Sequence, residues 1–412
     1  MAADAHQSQL LGALAPEARL VLACVAPESS PAATSQMRAL VADAPDWELV
    51  GRIARWHGVH AQVFDRLSSM DGLPVPADAM ERMRAEHLGR ALRSLALARE
   101  LVRLVRLLDD AEISALSFKG PVLAIQVYGA VSMRQFMDLD LLIRRHDLPR
   151  VVEVLSRDGY RARRFTADAR AHGLFDTSEE EFTKPGGLGL IDVHWLLSSP
   201  FFPYAPDAES CFARAITVDL DGTRVTTLAP RDLLLFLCVH AAKHGWPALS
   251  AATDIAAVSR AYPNLEWDAV DDAARRIGCR RMLLLGATLA HRLAGAPIPE
   301  RLLSAAQSDS SVTRLATDVT RRMFAPSSGS ATVYQEWIVP LRAIETAGGR
   351  LRYCWLRGLT PTAEDREFIS LPAALTPLYY LLRPLRLAAQ RGSRLFGAAR
   401  ADASPTHPDA LR

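Results

Sequence analysis

This chain has almost no lysine. Of its 48 basic residues only Lys119, Lys184 and Lys243 are lysines. Genomic base composition accounts for such an arginine bias, and it makes the few lysines worth following. Net charge is also scarce. At +2 over 412 residues it is too small to imply a long nucleic acid as an obligatory partner. Cysteine is sparse and unpatterned: Cys24, Cys211, Cys238, Cys279 and Cys354 show no CxxC spacing and are odd in number. That argues against a disulfide framework and for a reducing compartment, with the thiols buried in the core. Long apolar runs are missing as well. The strongest, 233–239, is followed by His240 and falls far short of the roughly 20 residues a spanning helix needs. The first residues lack a basic stretch followed by an apolar one, so the expectation is a cytoplasmic protein without a transmembrane segment. There is no internal repeat and no sustained heptad pattern.

What is present is an ordinary globular composition, 49% hydrophobic and 23% charged, in a chain long enough for two or three domains. Residues 1–110 read as helical, with Trp47, Leu49, Val50, Ile53 and Trp56 spaced for one buried face. A Pro/Ser/Ala-rich break at 28–35 and the segment 71–76 punctuate them. A long helix over 80–110 follows, with Leu92, Leu95, Leu101, Leu104 and Leu108 as core positions.

The stretch 118–143 is the most informative. A short strand over 113–118 ends in Lys119-Gly120-Pro121, and an apolar helix runs to Tyr128. Gly120 allows a close backbone approach, Pro121 suits a first helical position, and the helix end should be open to an anion such as a triphosphate, with Lys119 beside it. Asp138 and Asp140 then sit two apart in an apolar strand. Both point to one face, while Met137, Leu139, Leu141 and Ile143 point to the other. Two carboxylates so placed call for a cation, and a hard divalent metal answers best. Arg134 lies on the loop before them, where its guanidinium could reach phosphate oxygens.

Downstream, 180–197 reads as a hairpin turning at 185–187, with Ile191, Val193 and Trp195 on the apolar face and Asp192 and His194 together on the other. A second hairpin turns at Asp221-Gly222, and Pro230 opens a helix over 231–244. On that helix His240 and His244 are one turn apart, with Lys243 alongside. Their spacing suits zinc, but no catalytic glutamate or third ligand accompanies them. Packed core histidines are the main competing reading, and a role at a nucleotide or acceptor site is the other. The arginine-rich apolar stretch 371–391 reads as a docked helix or a surface-binding one. Arg144, Arg145, Arg161, Arg163 and Arg164 form either a solvated face or an acceptor patch.

Taken together, KG before a helix, R-x-x-x-D-x-D at 134–140 and D-x-H-W at 192–195 resemble the nucleotidyltransferase superfamily of the DNA polymerase β type. They look specifically like the bacterial family of uncharacterised nucleotidyltransferases, and more distantly like the abortive-infection toxin nucleotidyltransferases. The leading helices and the H-x-x-x-H-x-W helix extend the resemblance over most of the chain. It implies that Asp138 and Asp140 bind magnesium, that Asp192 completes the metal site or acts as base, and that Gly120 lines the triphosphate. The superfamily's usual turn is Gly-Ser or Gly-Gly, and here it is Lys119-Gly120-Pro121.

The resulting expectation is an α+β fold. A nucleotidyltransferase core with a small mixed sheet at 111–228 is flanked by a helical region at 1–110 and a helical domain at 229–396, with a disordered tail at 397–412. The activity expected is Mg2+-dependent transfer of NMP from an NTP, with ATP the first candidate, to an unknown hydroxyl or phosphate acceptor, releasing pyrophosphate. The site set is Asp138, Asp140 and Asp192 for catalysis and metal, and Lys119, Gly120, Arg134, His194, His240, Lys243 and His244 around the nucleotide. The competing expectation is a non-catalytic nucleotide-binding or scaffold protein of a biosynthetic or toxin-antitoxin system.

Overall fold

A computed structural model describes residues 11–27, 31–163, 178–187, 189–325, 334–361, 365, 368–369 and 371–387. The expected tail at 397–412, Arg164, the end of the 371–391 stretch and part of the 28–35 break lie outside them. Helices α1 (Pro16–Val25), α2 (Pro31–Ala42), α3 (Trp47–Trp56), α4 (His60–Ser69) and α5 (Ala77–Asp110) come first. Asp46 caps α3, its carboxylate accepting from the backbone N–H groups of Glu48 and Leu49 at 2.9 and 3.0 Å. The second half of the expected break is thus helix: Pro31 starts α2, a position where its missing N–H costs nothing.

Strand β1 (Ala115–Ser117), helix α6 (Gly120–Tyr128), strand β2 (Asp138–Ile143), helix α7 (Leu148–Arg157), then β3 (Arg161–Ala162), β4 (Glu179–Thr183) and β5 (Leu190–His194) form the α+β core. The sheet order is β1-β2-β5-β4-β3, mixed in sense. Its centre is the parallel pair β2/β5, which sets Asp140 opposite Asp192, while antiparallel β4 sets Glu179 opposite His194. After α8 (Ala208–Arg214) a separate hairpin, β6 (Ile216–Leu220) and β7 (Thr223–Thr227), turns at Asp221 and Gly222, both at positive φ.

The rest is helical: α9 (Pro230–Lys243), α10 (Ser250–Ala261), α11 (Trp267–Ile277), α12 (Arg280–Ala294), α13 (Glu300–Ser308), α14 (Ser310–Met323), a π-helical turn at Tyr334–Ile338, α15 (Val339–Ala343) and α16 (Ala347–Leu359). Among the described residues no helix is long and apolar enough to cross a membrane.

The sheet separates two apolar cores. Leu139, Leu141, Ile143, Phe182, Ile191 and Val193 pack on one face against the last turns of α5. Leu116, Phe118 and Leu142 on the other side join a larger core built from both the leading helices and α9 to α14. Period-2 alternation in β2 and β5 therefore does what it should, one set of side chains inward and the carboxylates together on the reverse.

Several core expectations do not hold. Leu92 and Leu95, with Leu88, are exposed because the middle of the 34-residue α5 spans the gap between the two cores, touching one at Met83 and the other from Leu97 on. Trp56 is exposed, lying roughly 240° around α3 from the buried Val50. Met137 is exposed just before β2 begins. Four thiols are buried as expected, but Cys354 faces out beside the buried Tyr353 of α16.

Candidate active site

Three strand-borne acids and a histidine meet at the parallel pair. Asp140 is 1% exposed and carries a formal charge, so its partners decide whether it is tolerable there. Lys119 Nζ lies 3.0 Å from Asp140 Oδ1, and His194 Nε2 lies 3.1 Å from the same oxygen. His194 Nδ1 faces Glu179 Oε2 at 3.2 Å. With a carboxylate on each ring nitrogen, both must carry protons. Burial lowers the pKa of His194, but the hydrogen bonds to Asp140 and Glu179 outweigh it and raise the pKa. Burial likewise pushes Asp140 up, and the charges of Lys119 and His194 reverse that, holding it well below the usual carboxylate range.

The other two acids are not neutralised. Burial and then the nearby Asp140 charge raise the pKa of both above the usual carboxylate value, that of Asp192 to about 7. Two buried oxygens, Asp140 Oδ2 and Asp192 Oδ1, have no hydrogen-bond partner. Ligand atoms of Asp140, Asp192 and His194 lie within 4.8 Å of one another. The carboxylate oxygens of this group, with unmet partners and surplus negative charge, fit a hard divalent cation, while His194, protonated on both nitrogens, serves to hold Asp140 and not to ligate. Asp138 lines the same cavity but is not in that compact group.

The cavity in front of these acids has a volume of about 720 Å³. Lys119, Arg134, His194, His240, Lys243 and His244 all line it, so helix α9 brings its basic end to the strand acids. His240 packs against Phe236 and His244, with ring centres 5.3 and 4.5 Å apart. Burial, then the charges of Lys119 and His244, holds the His240 pKa low, so the ring stays neutral. Neither α9 histidine belongs to a metal-capable cluster among the described residues.

Two expectations change. The start of α6 is not open: Gly120, Pro121, Val122, Leu123 and Ala124 are all buried, and Gly120 is not among the residues lining the cavity. Glycine is needed there for another reason. Its φ is +54°, and a Cβ would stand 3.3 Å from the carbonyl oxygen of Asp138 on β2. The part of the turn that reaches the cavity is the Lys119 side chain.

Arg134 is not spare for phosphate either. Its guanidinium holds Asp254 of α10 bidentately, Nε 3.1 Å from each carboxylate oxygen and Nη2 3.0 Å from Oδ2, and Tyr128 donates to the same group at 2.9 Å. The distant carboxylate, 120 residues away, was not visible as its partner.

Glu179, Asp254, Glu336 and Arg357 also line the cavity and were missed as site residues. Glu179 had a signal. In a hairpin with Asp192 and His194 on one face, alternation puts Glu179 and Glu181 opposite them, and Glu181 does lie opposite Asp192. Glu336 and Arg357 had none, since they lie more than 140 residues beyond β5 in the chain.

A mixed sheet bearing strand acids, flanked by helices, with a metal-capable acidic cleft, is the layout of a nucleotidyltransferase core. The sequence model of a family described as uncharacterised nucleotidyltransferases matches residues 43–295, well over half of the chain, and the chain belongs to that family. No curated protein and no solved structure matches it.

Proposed function

We propose that this protein transfers NMP from an NTP to a hydroxyl or phosphate acceptor and releases pyrophosphate, with ATP and Mg2+ the first candidates for nucleotide and metal. The pair of buried, partnerless oxygens, Asp140 Oδ2 and Asp192 Oδ1, carries this reading. Asp138, Asp140 and Asp192 would hold the metal, which would supply Lewis-acid charge at the phosphates.

The chain's own groups do the rest. Lys119, already beside Asp140, offsets charge on the departing pyrophosphate. Asp192, whose Oδ1 is buried without a partner beside Asp140, accepts the acceptor's hydroxyl proton as that oxygen bonds to the α-phosphorus and the bond to the pyrophosphate oxygen breaks. His194, clamped between Asp140 and Glu179, fixes the side chain of Asp140. Asp254 and Tyr128 hold Arg134 against α10, joining the core to the helices that close the cavity.

A panel of labelled NTPs with Mg2+ and cell extract tests this. Label should appear on an acceptor with release of pyrophosphate, and both should vanish in Asp138→Asn. Nucleotide binding without any pyrophosphate would instead favour a binding or scaffold role.

A further inference from the structure

The cavity has a second side, beyond the part of the chain that matches the family. Glu336 of the π-helical turn and Arg357 of α16 line it together with Lys243 of α9, and both lie past residue 295. The Arg357 guanidinium is held by aromatic faces, 4.7 Å from the Trp337 ring centre and 5.8 Å from those of Phe201 and Tyr353. Its backbone carbonyl is fixed too, accepting from Arg383 Nε and Nη2 at 3.1 and 2.9 Å.

This clamped arginine is incompletely partnered. Its Nε is buried without a hydrogen-bond partner. Among the described residues, no acid forms an ion pair with Arg357 or with Lys243, although Glu179 and Glu336 share the cavity. Burial lowers the Lys243 pKa, Glu179 opposes it, and the charges of Lys119 and Arg357 add to it. Two partly desolvated cations therefore line one cavity, neither in ion-pair contact with an acid among the described residues.

The chemistry that relieves both at once is a dianion. A phosphate monoester carries about −1.5 to −2 at pH 7 and offers three acceptor oxygens, and arginine meets such a group bidentately. A carboxylate would leave one cation uncovered. The volume of about 720 Å³ is that of a site for small molecules. We infer that Lys243 and Arg357 form a subsite for the phosphate of a small phosphorylated acceptor, bound in the same cavity as the nucleotide. This rests on the transferase reading for the nucleotide, but the phosphate contact itself does not. Glu336, beside the subsite, is positioned to accept a hydroxyl of such a molecule.

Calorimetric titration of glycerol 3-phosphate into the full chain tests it, with and without saturating α,β-methylene ATP and Mg2+. The phosphate should bind both forms. Arg357→Gln and, independently, Lys243→Gln should weaken it about ten- to hundredfold, with α,β-methylene ATP affinity unchanged in Arg357→Gln. Thermal melting establishes that each variant is folded, and since the two residues sit on different helices either variant alone is a sufficient test.

Failure of glycerol 3-phosphate to bind wild type overturns the subsite. So does its displacement by the ATP analogue, or an equal loss of analogue affinity in Arg357→Gln, since the cations would then hold the nucleotide's own phosphates. If the analogue never binds but glycerol 3-phosphate does, with the same sensitivity to both variants, the phosphate subsite stands and the nucleotide reading falls.

Discussion

The two sides of the cavity handle charge in opposite ways. On the strand side, one oxygen of the most buried carboxylate, Asp140 Oδ1, is engaged by Lys119 and His194, while its Oδ2 has no partner and surplus negative charge is left on Asp138 and Asp192. On the helix side, Lys243 and Arg357 line the cavity with no acid in ion-pair contact with either among the described residues, although Glu179 and Glu336 share the space. A protein optimised for stability alone would pair the two sets across the gap. Keeping them apart costs stability and leaves each set available to a ligand of opposite sign.

The largest expected effect separates two acids that alternation makes look equivalent. Asp138→Asn and Asp140→Asn should each reduce transfer by more than about a hundredfold, as loss of a direct site carboxylate should exceed loss of an outer one. Their stabilities should diverge. Asp138→Asn relieves repulsion and should melt at or slightly above the wild-type temperature without metal. Asp140→Asn strands Lys119 and His194 in a buried setting and should cost about 3–5 kcal/mol. Equal melting temperatures for the two variants would mean that the Lys119–Asp140–His194 cluster contributes nothing.

Asp254→Ala extends the comparison to a buried pair that no ligand is expected to share. Arg134 would lose all three of its hydrogen bonds to the carboxylate and Tyr128 its acceptor, a loss again of about 3–5 kcal/mol in chemical denaturation. Wild-type stability in this variant would show that Arg134 is free to turn toward the cavity.

How much of this was legible in the sequence follows from where each residue sits. Asp138, Asp140, Asp192 and His194 lie on two strands whose period-2 pattern fixes their facing, so their convergence needed only one correct pairing. The α+β class and both hairpins followed from the same alternation and from Pro and Gly punctuation. The helices were visible, but not what covers them: Leu92, Leu95 and Trp56 lie on helical positions that tertiary packing leaves bare. Arg134 was read as a phosphate ligand because its partner comes from a helix 120 residues on. Arg357 carried no local sign, since neither its aromatic clamp nor its lack of an acid exists before the chain is folded.

Asp192 should make the strand side sensitive to pH. Its folded pKa, about 7, is raised above an ordinary carboxylate value near 3.8, so folding favours the protonated form. The sign follows directly. This group's contribution to stability is fully present below pH 4 and is lost as pH rises through 7. Asp192→Asn should therefore be more stable than wild type at pH 8 in the absence of metal, with the gain fading by pH 4. A gain independent of pH would place the carboxylate's strain elsewhere.

The smallest effect is the sharpest test of the asymmetry, because it asks two lysines to respond in opposite directions to one substitution. Lys119 has a carboxylate at 3.0 Å; Lys243 has none in ion-pair contact among the described residues. Lys119→Met removes the charge that balances buried Asp140 and should lower stability. Lys243→Met removes a charge whose ordinary pKa near 10.5 is lowered by burial and by neighbouring cations. A lysine with a depressed folded pKa destabilises the protein below its unfolded pKa, increasingly as pH falls toward the folded value, and ceases to do so above the unfolded pKa. Lys243→Met should then raise stability at pH 7 by about 1 kcal/mol, the low end of what apolar replacement of buried charge yields. Saturating glycerol 3-phosphate should erase this advantage, since the anion stabilises wild type and finds one cation fewer in the variant. Melting curves at pH 7 with and without that ligand decide the matter: equal destabilisation by both substitutions would mean that Lys243 is paired in solution and that the two sides of the cavity do not differ.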